Sequence, residues 1–108
     1  MNDQFLAWCD VQIAACQARC RDLRADSRGD EARFEQIRAN VYSIHRAVYA
    51  TLHDKPDQLA MKLREIPAAW QASLAAAEQH GDAEKAHIEH LKLSTAKEIQ
   101  TALSNKGG

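Results

Sequence analysis

The chain has 108 residues, 45% of them hydrophobic, which is the size of one ordinary domain with a core that needs no disulfide or metal staple, and leaves no room for a second domain. Its 14 basic and 15 acidic residues are mixed along the whole length for a formal net charge of −1, so no block of one sign can neutralise a run of phosphates and nucleic acid is not expected as a partner. The opening MNDQFLAWCD has no basic leader and is broken by Asp3 and Asp10, no later stretch is apolar enough for a membrane span, and an odd set of three cysteines points to a reducing cytoplasm.

The first predicted element covers about 3–25, where Leu6, Cys9, Ile13, Cys16, Cys20 and Leu23 recur at spacings of three and four and form one buried helical stripe. It ends in Asp26-Ser27-Arg28-Gly29-Asp30, where Gly29 is expected to take the left-handed stop and Asp30 to cap the next helix. The second helix, about 31–52, carries Phe34, Ile37, Val41, Ile44 and Val48 as its core seam. Several of these are β-branched, so tertiary burial has to stabilise the helix.

Pro56 suits the first turn of a third helix over about 56–80, because its missing amide costs nothing there. Pro67 lies deeper, removes the hydrogen bond to the carbonyl of Leu63, and would by default break the helix at a cost of about 3 kcal/mol. The seam Leu59, Leu63, Ile66, Trp70, Leu74 and Ala77 nevertheless keeps helical phase across it, which predicts one helix kinked at Pro67. Gly81 stops that helix, Asp82 caps a fourth over about 82–103, and Ile88, Leu91, Thr95, Ile99 and Ala102 form its stripe. Short connections between helices of similar length predict a single all-α domain over 1–108, an antiparallel up-down-up-down four-helix bundle.

Three groups of residues stand out against that scaffold. Cys9, Cys16 and Cys20 project from one side of the first helix, so converging thiolates there could hold copper or zinc or respond to oxidant; they also occupy the buried stripe, where cysteine acts as a small hydrophobe. Glu84 and His87 form a Glu-x-x-His pair, with Glu89 and His90 beside them. Carboxylate-bridged metal bundles repeat that motif on a second helix and this chain does not, so the histidines read as solvated. No glycine-rich loop cradles a phosphate, and no cofactor is expected.

The third group is apolar. Trp8, Val11, Ala15 and Ala18 line the side of the first helix opposite its core stripe, and Tyr42, His45, Tyr49 and Leu52 flank the seam of the second. A helix apolar on two sides needs cover that this short chain does not supply, unless Trp8 folds over the bundle end toward the 53–56 turn. The expected function is a small helical interaction module without catalysis. It pairs with a second copy or another helical protein through Trp8, Val11, Ala15, Ala18, Tyr42 and Tyr49; the alternative is a copper-, zinc- or redox-responsive bundle using the cysteines.

Overall fold

A computed structural model describes residues 3–106, which form four helices and, among the described residues, no strand: α1 (Asp3–Ala25), α2 (Gly29–Leu52), α3 (Pro56–Gln79) and α4 (Ala83–Lys106). None of these helices is long and apolar enough to cross a membrane. α1 packs on α2, α3 packs on α4, and α2 also lies against α4. α3 meets α2 along a short contact only and does not reach α1. The molecule is accordingly flattened, 41 × 35 × 19 Å, with its core where α1, α2 and α4 converge.

The connections follow local chemistry with one correction. After α1 the left-handed residue is Ser27, at φ 61°, and not Gly29, which already begins α2. The amides of Arg28 and Ser27 bond the carbonyls of Leu23 and Arg24, so the last turn of α1 is closed in a Schellman arrangement with serine where glycine is usual. Asp30 accordingly lies inside the first turn of α2, where its charge favours the helix N-terminus, and is not the cap. Gly81 behaves as expected: at φ 68° it closes α3 through bonds from Asp82 to Ala77 and from Gly81 to Glu78. Asp82 then accepts the amide of Lys85 at 3.1 Å and caps α4.

α3 continues through Pro67 as one helix. The carbonyl of Leu63, which loses its helical donor to the proline, accepts instead from the side-chain amide of Gln100 on α4 at 3.0 Å. A neighbouring helix thus satisfies the group that the proline orphans, and this ties the middle of α3 to α4.

The stripes expected on α1 and α4 face inward. Cys9, Cys16, Cys20, Thr95, Ile99 and Ala102 are buried, with Phe5 added at the start of α1. On α2 the inward face is turned by roughly a quarter of the helix circumference from the expected seam. Ala32, Ala39, Val41, Tyr42, His45 and Tyr49 are buried, whereas Phe34, Ile37 and Val48 are half-buried and Ile44 is 41% exposed. Each tyrosine brings a large apolar ring, and the hydrogen bonds of the Tyr42 hydroxyl offset the cost of taking it out of water.

Candidate interaction surface

The expected contact face does not assemble as the sequence suggested. Tyr42 and Tyr49 are core residues, fully covered by this chain's own helices. Trp8 is half-buried, its ring 6.1 Å from Phe5 in a stacked arrangement and 5.7 Å from Tyr42 edge-on, while Phe5 lies 4.7 Å from Tyr49. These four rings join α1 to α2 from within; Phe5, Tyr42 and Tyr49 are buried there, while Trp8 keeps part of its surface open. The contact to Tyr42 arises because α2 presents its tyrosine face to α1. Ala15 and Ala18 are half-buried as well, and of the α1 face only Val11, at 63% exposure, stands open.

A polar chain runs beside the rings. Arg19 donates to Glu35 at 2.9 Å and to the Cys16 sulfur at 3.4 Å. Arg38 lies 3.8 Å from the other Glu35 oxygen and 3.6 Å from Glu98, and the Tyr42 hydroxyl donates to Glu98 at 2.6 Å. This network spans α1, α2 and α4 and accounts for the buried hydroxyl. Burial first, then the Glu98 carboxylate, pushes the Tyr42 phenol well above its ordinary range. Near the other end of α1, Arg46 grips Asp10 through two bonds of 2.6 and 3.2 Å.

The cysteines are free and buried. Desolvation pushes Cys9 up to about 11 against the pull of Arg46, and raises Cys16 with help from Glu35, so neither is a ready thiolate at neutral pH. Among the described residues no group of three or more His, Cys, Asp or Glu is placed to hold a metal ion. His87 is exposed and lies edge-on to Phe34 at 4.9 Å, His90 is exposed, and Glu84 meets Arg33 at 3.3 Å. Glu89 is buried, contrary to expectation for a residue among solvated histidines; one oxygen is 3.4 Å from Lys92 and the other has no partner.

What the fold leaves open is the expected core seam of α2. Because α3 barely touches α2, the side carrying Ile37, Ile44, Val48 and Leu52 borders two grooves. One, of about 370 Å³, is floored by Val41 and Trp70, walled by Ile37, Ile44 and Ile88, and edged by Lys92, whose ammonium sits 5.8 Å from the Trp70 ring. The other, of about 360 Å³, lies among Ala47, Val48, Thr51, Leu52 and Lys62. No family model, characterised protein or solved structure matches this chain. The reading of this surface therefore rests on its own chemistry. From residue 39 to residue 52 the only charged side chain on α2 is Arg46, which Asp10 neutralises; the charged groups that line the grooves are Arg33 and Lys92 at the larger and Lys62 at the smaller.

The sequence carried part of a signal for this surface, since Ile37, Ile44 and Val48 belong to the expected seam, with Leu52 placed in the flanking stripe. Which of two adjacent rows on α2 is inward depends on where α1 and α4 sit, and spacing alone does not contain that.

Proposed function

We propose that the protein is a small helical interaction module that binds through the open side of α2, most simply by pairing with a second copy about a two-fold axis, in the cytoplasm and without catalysis. The observation that carries this reading is the row of Ile44, Val48 and Leu52 beside grooves that α3 does not fill, with Ile44 at 41% exposure. Support comes from the small, neutral residues beside it: Ala47 and Thr51 are exposed, line the smaller groove with Val48 and Leu52, and would let another helix approach closely.

Sedimentation of the purified protein across a wide dilution series tests the reading. A concentration-dependent dimer is expected, which Ile44→Glu shifts to monomer by at least about tenfold in dissociation constant with helicity retained. Val11→Glu on the outer face of α1 should leave the equilibrium unchanged. A monomer at every concentration removes self-pairing, and dimerisation lost through Val11→Glu alone returns the contact to α1.

A further inference from the structure

His45 is the one buried histidine among the described residues, with no exposed surface, and it sits in α2 where that helix faces α3. Its Nδ1–H donates to the carbonyl of Val41 at 2.8 Å, which fixes the proton on Nδ1 and leaves Nε2 a bare acceptor. Nε2 has no hydrogen-bond partner, so a proton added there would make a buried cation with a donor and nothing to receive it. From α3, the ring that meets the imidazole is Trp70, at 6.4 Å and tilted by 50°.

The charged and titratable groups on the surrounding elements are committed elsewhere. On α1, Asp10 is held by Arg46, and Cys9 is a neutral buried thiol. On α2 itself, Arg38 serves Glu35 and Glu98, and Tyr42 donates to Glu98. On α3, Glu65 pairs with Lys62 at 3.5 Å; on α4, Glu89 meets Lys92 through one oxygen, and its other, buried oxygen has no hydrogen-bond partner, the imidazole included. None of these carboxylates is bonded to the imidazole, so no local charge offsets its protonation.

We propose that His45 is an acid-sensitive latch on the α2–α3 seam: while the imidazole is neutral α3 stays seated through Trp70, and its protonation moves Trp70 off the ring and lets water reach Nε2. The seam is the place to yield. α3 contacts α2 only briefly, and Ala77 is its sole fully buried residue, whereas α1 is fastened to α2 by four rings and two ion pairs. Burial holds the imidazole below its ordinary 6.5. The sign follows: the closed form binds the proton less readily than the open form, so the closed-to-open ratio is constant above 6.5, falls by up to about tenfold per pH unit below it, and levels off once the closed form's own lowered value is passed. The latch rests on His45 and Trp70, and because Trp70 also floors the larger groove the two features share a side chain.

The test uses Trp70 as its own reporter. The chain has 2 tryptophans, so Trp8→Phe leaves Trp70 alone. Emission is followed from about pH 8 to about pH 4.5 alongside far-ultraviolet circular dichroism. The expected result is a red shift with a midpoint below 6.5 and helicity retained, absent from Trp8→Phe/His45→Phe. No shift over the range, the same shift in the double variant, or helicity lost in step with emission overturns the latch. Should the double variant not fold, histidine and indole proton resonances of the unsubstituted protein decide. An indole signal of Trp70 that moves with the His45 titration supports the proposal, and one that stays fixed while His45 protonates overturns it.

Discussion

α1 and α3 are of nearly equal length, 23 and 24 residues, and both carry an unbroken three-four apolar rhythm, yet they are held in very different ways. α1 is keyed into α2 by Phe5 and Trp8 against Tyr42 and Tyr49, and by Asp10–Arg46 and Glu35–Arg19 at separated levels. α3 leans on α4, has an alanine-rich second half, and keeps Leu59, Leu63, Ile66, Trp70 and Leu74 only half-buried. An amphipathic pattern thus makes a helix and gives it an inside. How firmly that inside is seated depends on side-chain bulk and on whether polar groups at the seam find partners.

The largest effect should come from the tightly keyed side. Tyr42→Ala removes a fully buried ring and its hydrogen bonds with Glu98 and Arg38, and is expected to cost about 4 kcal/mol in chemical denaturation, unfolding the protein as a unit. Trp70→Ala on the loosely seated side should cost about 2 kcal/mol, with amide exchange accelerating in α3 while α1 and α2 stay protected. Equal loosening of α1 and α3 in that variant would break the contrast.

A double-mutant cycle sharpens it at the proline. Gln100→Leu strands the Leu63 carbonyl and should cost about 1.5 kcal/mol, but should be nearly silent in a Pro67→Ala background, where residue 67 again supplies the helical amide. Ser27→Gly should raise stability by about 1 kcal/mol, because φ 61° suits glycine and strains serine. At neutral pH the smallest change belongs to the thiols: alkylation of Cys9 and Cys16 should wait on unfolding. Cys9 binds its proton more tightly when folded, up to about 11, so its contribution is intact below the ordinary thiol value of 9.0 and is lost as pH rises beyond it. Rapid labelling of native protein would show α1 opening on its own.

Much of the scaffold was legible in the residues. The four helices, the unbroken passage through Pro67, the stop at Gly81 and the cap at Asp82 all follow from spacing, propensity and turn chemistry, and the structure has each of them. The candidate surface was only partly legible. The open row on α2 was visible but read as core, and the tyrosine row was read as flank, because a hydroxyl tolerates water and its partners Glu98 and Arg38 lie 56 and 4 residues away. The serine at the first stop was missed for a related reason: glycine is the commoner choice, and two backbone bonds outweigh the strain of Ser27.

The sequence by itself determined that this chain is helical, where each helix begins and ends to within a few residues, and which side of α1, α3 and α4 is apolar, because those are properties of neighbours along a backbone. Only the tertiary structure decided which of two rows on α2 is covered, that Gln100 answers Pro67, and that Nε2 of His45 is sealed without a hydrogen-bond partner. Each of these depends on which residues from distant parts of the chain come to lie within hydrogen-bond or van der Waals reach. That is fixed by how the helices fill space together and not by the period of any one of them.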